Sequence, residues 1–387
     1  MPAGVRLEQS AKLMSEYWQS TNGRPESRYL WNDAFAVCVM LHFDRLGVAS
    51  NFRWKNAAQR LVEQVHDTLG RFRADDSDQS RRNRFLSGLD QDQAQLHPTA
   101  GGLRIGKRLP GRKAFEKYDS VLEWERDGQY FHYLTKWISC LCQFQDQTKC
   151  RWAVELAKAI FPKFYRGGRG IFWKMSEDLR YPVVSGHGAH DALDGFITFR
   201  YLDAIAPHLD RFDSEVSCFL KLVNFPGLVT SDTLGIGGLL QDSFRLAQII
   251  RKDSCEDLPN LTRFLICLLE VSLQSLNQVH WYSFDAVEEY RLAFRELGLS
   301  IGLAAILFLG KEVDNLNLRE DEGKRVADLV DALSAFLPWR EKIINFWSNP
   351  LHQVNKTWKE HQGINTVMLA ASLVPESVLH LQFTCSP

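Results

Sequence analysis

Histidines and carboxylates gather where an apolar helix begins, a pattern suited to moving protons. The stretch 185–195 reads Ser-Gly-His-Gly-Ala-His-Asp-Ala-Leu-Asp-Gly, so His187, His190, Asp191 and Asp194 lead into Phe196, Ile197, Phe199, Tyr201, Leu202 and Ile205. Polar groups on a glycine-loosened loop at a helix N-terminus sit in a field that favours anions. The same residues also read as an ordinary cap, with Asp191 or Asp194 at the helix start and glycines shaping the turn. A second cluster, Glu123-Trp124-Glu125-Arg126-Asp127, is the richest in carboxylates. Inverting glycoside hydrolysis needs a carboxylic acid and a carboxylate about 6.5–9.5 Å apart. Glu125 or Asp127 from one helix start and Asp191 or Asp194 from the next would span that gap. A carboxylate at a helix N-terminus stays ionised and suits a base, while Trp124 offers the apolar setting an acid needs. A capping segment with internal Arg126 pairing accounts for Glu123–Asp127 equally well.

His132 stands beside Tyr130 and Phe131 on a helical pattern. A helical histidine among aromatics is more often a satisfied core residue, but with His187 and His190 it would complete a proton-transfer pair. The catalytic candidates are therefore Asp127, Asp191, His132 and His190. His187, His190 and Asp191 have the ligand types of zinc, yet their spacing matches no metal motif, and no metal or cofactor is expected. Trp31, Trp124, Trp173, Trp281 and Trp358 fall near helix starts; exposed, such rings stack on sugars, and buried they are core. The candidate substrate-binding residues are Trp31, Asp33, Trp124, Glu125, Tyr130, His187, Asp194, Trp358 and Glu360. Arg291, Arg295 and Glu296 read first as a buried ion-pair network and second as a grip on an anionic substrate. Leu234–Leu240 has no lysine after its glycines and reads as close helix packing, not a phosphate loop.

These residues need helices to hold them. Apolar helices are expected over 28–46, 127–144, 190–206, 233–250, 286–309 and 364–373, and amphipathic ones over 5–19, 52–69, 149–164, 214–222, 258–276 and 320–336. An apolar helix followed by an amphipathic one is the signature of an inner and an outer helix. The inner helices open alike: Trp31-Asn32-Asp33, Glu125-Arg126-Asp127-Gly128, His190-Asp191, Asp232-Thr233, Glu288-Glu289-Tyr290-Arg291 and Glu360-His361. Irregularly spaced pairs favour a closed toroid over a solenoid of fixed period. The expected fold is all-α: an (α/α)6 toroid of six inner and six outer helices in one domain spanning 1–387. Residues 71–121 have no sustained period and are expected to form a long loop, with 88–110 over the mouth. Phe172–Met175 suggests a short hairpin.

The 387 residues are 45% hydrophobic with a formal net charge of -1, so no global field points to nucleic acid or an anionic membrane. The local basic run of Arg81, Arg82, Arg84, Arg104, Lys107, Arg108, Arg112 and Lys113 reads as a solvated loop, because no stacking aromatics alternate with it. No secretory signal is evident, and no apolar run reaches the ~18 residues a bilayer requires; Leu297–Leu309 comes nearest. The eight cysteines form no Cys-x-x-Cys pair and read as reduced, mostly buried thiols of an intracellular, cytoplasmic protein. A small-molecule substrate is the expected partner, and no oligomeric state is implied.

With these blocks in place, the chain resembles the six-hairpin glycosidase-like superfamily of (α/α)6 barrels, and a little-characterised group within it. The resemblance rests on Arg28-Tyr29-Leu30-Trp31-Asn32-Asp33-Ala34-Phe35, on Leu122–Leu134, on Leu234–Leu240 and on Phe294–Leu299, and runs from about Arg28 to Leu373. It implies a toroid and a leaning toward sugars, since the superfamily includes glycoside hydrolases, sugar epimerases and lyases. The expected function is a carbohydrate-active enzyme of hydrolase or epimerase type. The alternative is an intracellular biosynthetic enzyme with a repurposed cavity, cyclising (pericyclic chemistry included) or isomerising an apolar intermediate. A non-catalytic binding scaffold would have the cavity without a paired acid and base.

Overall fold

A computed structural model describes residues 1–48, 52–113, 115–252, 258–316 and 318–384. Helix accounts for 66% of the chain and strand for 4%, which makes the fold all-α. The chain divides into two compact units, Trp18–Val223 with the residues from Gln382 on, and Met1–Tyr17 with Asn224–Leu381.

Helix α1 (Ala3–Thr21) opens the chain. The unit beginning at Trp18 then contains α2 (Leu30–Leu46), α3 (Trp54–Leu69), α4 (Gln91–Leu96), α5 (Ser120–Glu125), α6 (Phe131–Cys142), α7 (Gln147–Phe164), α8 (Asp191–Ile205) and α9 (Asp213–Leu222). Helix α2 is buried almost all round, from Leu30 through Leu41, and Gly47, at φ 65°, ends it in the left-handed region. Helix α3 buries only one face, through Ala57, Ala58, Leu61, Val62, Val65 and Leu69. The apolar–amphipathic alternation thus becomes three packed pairs, α2 on α3, α6 on α7 and α8 on α9, with α2 against α6 and α6 against α8. Two-residue strands β1 (Gln129–Tyr130) and β2 (Lys174–Met175) pair antiparallel, Gln129 opposite Met175, and form the only sheet among the described residues. The segment after Phe172 also folds back on 182–187, as a hairpin should, but its strand partner is β1.

The other unit contains α10 (Phe225–Leu228), α11 (Thr233–Lys252), α12 (Leu258–Asn277), α13 (Ala293–Glu312), α14 (Glu320–Ser334), α15 (Leu337–Ser348), α16 (Lys356–Glu360), α17 (Gln362–Leu373) and α18 (Glu376–Leu379). Apolar α13 is its centre, packed on α11, α14, α15 and α17. A β-carbon on Gly237 would lie 2.2 Å from the Gly298 carbonyl oxygen, so this approach of α11 to α13 requires glycine. The Leu234–Leu240 block is therefore a packing surface.

Four expectations need correction. Between the helices expected over 320–336 and 364–373, residues 337–348 form a further helix, α15; proline is tolerated in a first helical turn, which is where Pro338 sits. Helix α6 begins at Phe131 and not at Asp127, because Gln129 and Tyr130 are extended to pair with β2. The apolar stretch around Leu297–Leu309 is longer than it reads: Ala293–Asn315 is long and apolar enough to cross a membrane, and 72% of its most apolar window is buried, as in a core helix. Finally, Cys38, Cys140, Cys142, Cys218 and Cys267 are free, but Cys150 on α7 is disulfide-bonded. Cys255 and Cys385 lie outside the described residues.

Candidate functional site

The first turns of α6 and α8 face each other. His132 and Lys136 are one helical turn apart on α6, and Asp191 and Asp194 nearly so on α8, so each pair lies along one helix face. His132 Nδ1 is 3.4 Å from Asp191 Oδ1, and Lys136 Nζ donates to Asp194 Oδ1 at 2.8 Å. Asp191 is 3% exposed, and its Oδ2 finds no hydrogen-bond partner among the described residues. Burial pushes the Asp191 carboxyl above its ordinary pKa, opposed by the hydrogen bond and charge of His132. A β-carbon on Gly188 would stand 2.1 Å from Asp191 Oδ2, so the glycine-rich loop is what lets backbone close over this carboxylate. His190 occupies the N-cap position of α8 without a side-chain capping bond. Asp191 therefore acts toward His132 more than toward its own helix end.

Aromatic rings surround His132. It stacks on Tyr130, with centroids 5.3 Å apart, and meets Tyr133 edge-on at 4.9 Å and Trp31 at 6.3 Å. Tyr130 leads on to Trp124 at 6.4 Å, and Trp124 meets Trp173 edge-on at 4.9 Å. The hydroxyls of Tyr29 and Tyr133 are 2.8 Å apart. Burial raises the phenol pKa of both Tyr29 and Tyr130. The cationic ends of Lys107 and Lys174 lie over the Tyr130 ring, at 5.7 and 5.3 Å.

The residues just before β1 and just after β2 line a polar cleft of about 590 Å³, its open mouth included. Loop residues Asp76, Arg81, Gly111 and Arg112 line it with Glu123, Arg126, Asp127, Glu177, Asp178 and Tyr181. Asp127 is held tightly here. Arg104 Nη1 donates to it at 2.5 Å, Arg73 lies 3.7 Å away, and the backbone amides of Gly106 and Gly128 donate at 3.0 Å each. Glu177 is different: among the described residues no side-chain partner holds it and its Oε2 is buried without a hydrogen bond, and burial beside Asp127 and Asp76 pushes its pKa up to about 7 against the pull of Arg104 and Arg73. Lys174 Nζ donates to the carbonyls of Glu123, Trp124 and Arg126, and burial brings its pKa down to about 7.

The candidate residues therefore divide. His132, Asp191, Asp194, Tyr130 and Trp31 share one neighbourhood, with Trp124 at its edge. Trp31 is 7% exposed and packs on Phe35, which makes it core and not a platform for sugar. Asp33 is buried against Arg28 at 3.5 Å and accepts from the Tyr29 amide, so it fixes the entry to α2. Exposed His187 stacks on Phe172, and Glu125 is exposed. Trp358 and Glu360 belong to the other unit, where Trp358 is buried on Trp347 and Glu360 pairs with Lys356. There Arg291 and Glu296 form a buried ion pair, with Trp347 donating to Glu296 at 2.7 Å, while Arg295, expected in the same network, pairs instead with Asp232 at 2.6 Å.

Asp127 lines the cleft, and Asp191 is not among its lining residues. Asp119 caps α5, so the Glu123–Asp127 cluster is no cap; Glu123 pairs with Arg112 and Arg126. The basic run is a solvated loop only in part: Arg82, Arg84 and Arg108 are exposed, and the others are engaged. Arg81 binds Asp76 and Asp178, Arg104 binds Asp127, and Lys107 donates to the Trp124 carbonyl. Residues 103–106 cross the N-terminal ends of α2 and α6 through bonds to Leu30, Gly128 and Gln129. Glu177 and Lys174 escaped the sequence reading. Among the described residues no three His, Cys, Asp or Glu side chains form a metal-ligating group.

No protein-family model matches the chain, and no curated protein or solved structure matches it.

Proposed function

We propose that the protein is a carbohydrate-active enzyme of the isomerase or epimerase kind, built as a six-hairpin (α/α)6 toroid, with His132 and Asp191 as its proton-transfer pair. The toroid is supported by the three apolar–amphipathic helix pairs in the unit that carries the dyad, and by the apolar helices α11, α13 and α17 with amphipathic neighbours in the other. The single observation that carries the chemistry is the His132–Asp191 contact at the facing first turns of α6 and α8. A hydrolase reading with Asp127 as acid or base is less well supported, because two arginines and two amides already hold that carboxylate.

Asp191 Oδ1, 3.4 Å from Nδ1 of His132, closes in the reacting complex to accept from Nδ1–H, which fixes the tautomer and leaves Nε2 as the base. Nε2 removes the proton from the carbon next to a sugar carbonyl, and the C–H electron pair becomes the C=C bond of an enediolate as the carbonyl oxygen takes the negative charge. Asp191 stabilises the imidazolium so formed. Return of a proton to the other face inverts the carbon, with His190, next to Asp191 at the start of α8, as the donor. Each proton transfer contributes roughly 10²–10⁴-fold. The partly exposed rings of Trp124 and Trp173 offer a stacking surface for a sugar face.

The density of rings around His132 favours one second reading, an enzyme that folds an apolar intermediate for cyclisation or isomerisation. The experiment is incubation of the protein with a panel of aldoses, ketoses and N-acylated amino sugars in D2O, followed by proton NMR. Loss of the signal of the proton next to the carbonyl supports the epimerase reading. A panel left without exchange, alongside turnover of an apolar polyene, supports the second.

A further inference from the structure

The lining of the cleft follows a rule with one exception. It presents five carboxylates and three guanidinium groups. Asp76 has Arg81, Asp178 has Arg81 and Arg180, Glu123 has Arg112 and Arg126, and Asp127 has Arg104 and Arg73. Glu177 alone has no arginine or lysine within ion-pair distance among the described residues. It is nevertheless 9% exposed, and its Oε2 is buried without a hydrogen-bond partner. A buried carboxylate left unpaired is costly, and the cost is removed by a proton or by a cation with N–H donors. Every other carboxylate here takes the second solution. At the rim stands Tyr181, 47% exposed, a ring able to lie against a cation's apolar or charged face.

We propose that this cleft binds a small organic cation bearing a primary ammonium or guanidinium group, with Glu177 as its counter-ion and Tyr181 as a wall. The site does not depend on the His132–Asp191 chemistry, and none of its residues belongs to that pair. The ligand's N–H groups supply to Glu177 what arginine supplies to its four neighbours. The charged groups acting on Glu177 are Asp127 and Asp76, which disfavour its ionisation, and Arg104 and Arg73, which favour it. A bound cation joins the arginines, so binding expels the Glu177 proton wherever that proton is present.

The test is isothermal titration calorimetry of the whole chain with n-butylammonium, using butan-1-ol and butyrate as neutral and anionic equivalents. Saturable binding of the amine alone is expected. With Glu177 titrating at about 7, affinity should fall about tenfold from pH 8 to pH 6, with proton release at pH 6 visible as a difference between MES and phosphate buffers, neither of which carries a primary ammonium. Glu177→Gln should weaken the amine at least tenfold at pH 8. The proposal is overturned by equal binding of butanol, by an affinity in Glu177→Gln within about twofold of the parent, or by no saturable heat. Because proton release is read on the unmodified protein, its absence also overturns the proposal even if the variant does not fold.

Discussion

Replacing Glu177 by glutamine should make the protein more stable, but only above a certain pH. In the folded chain the Glu177 carboxyl titrates at about 7, against an ordinary value of 4.5. Holding the proton that far above its ordinary range corresponds to about 3 kcal/mol. The sign follows from proton counts. Below pH 4.5 both folded and unfolded chains hold the proton, and Glu177 costs nothing. Between 4.5 and 7 the unfolded chain releases its proton while the folded chain keeps it, so stability falls as pH rises. Above 7 the whole cost is present. Glutamine has the shape of the protonated acid and never ionises, so this loss vanishes. Urea denaturation followed by far-UV circular dichroism, on both proteins at about pH 4.5, 6 and 8, measures it. The variant should equal the parent at the lowest pH and exceed it by about 3 kcal/mol at the highest. A difference that stays constant with pH, or a variant less stable at pH 8, would refute the reasoning.

Asp127→Asn should destabilise the protein by about 3–5 kcal/mol in urea titration, because Arg104 and Arg73 lose their buried counter-charge; a loss under about 1 kcal/mol would show the pair to be dispensable. His66 is fully buried, accepts from Trp137 Nε1 at 3.1 Å, and has its pKa brought down by burial from 6.5 to about 3. The unfolded chain therefore binds a proton that the folded one refuses, and stability drops by up to about 4–5 kcal/mol as pH falls from 6.5 toward 3; His66→Gln should flatten that acid limb of the pH–stability curve. Gly237→Ala places a β-carbon 2.2 Å from the Gly298 carbonyl oxygen and should lower stability by about 1–3 kcal/mol or more, read as a fall in Tm.

The helices were legible because burial writes itself into composition. A helix buried all round, such as α2, is apolar on every face, while α3 alternates on a helical period. The dyad was half legible, since His132 and Asp191 each sit at the start of such a helix. What joins them is the packing of α6 on α8, and no spacing within 130–191 encodes that contact. Asp127 was misread for a related reason. Its partner Arg104 arrives from a loop without periodicity, and two residues of strand pairing with Lys174–Met175 delay the start of α6. Glu177 and Lys174 had no local signal at all. Their unusual setting comes from residues around 76–81, 110–112 and 123–127 that gather about them.

The most direct test of the central claim is the rate at which the protein exchanges the proton next to a sugar carbonyl with solvent deuterium, compared between the parent and Asp191→Asn. Asparagine preserves the shape beside His132 but cannot stabilise an imidazolium, so exchange should fall more than about a hundredfold with an unchanged circular dichroism spectrum. Exchange retained within about tenfold would contradict the account, and His132 and Asp191 would then be an element of the fold and not its proton-transfer pair.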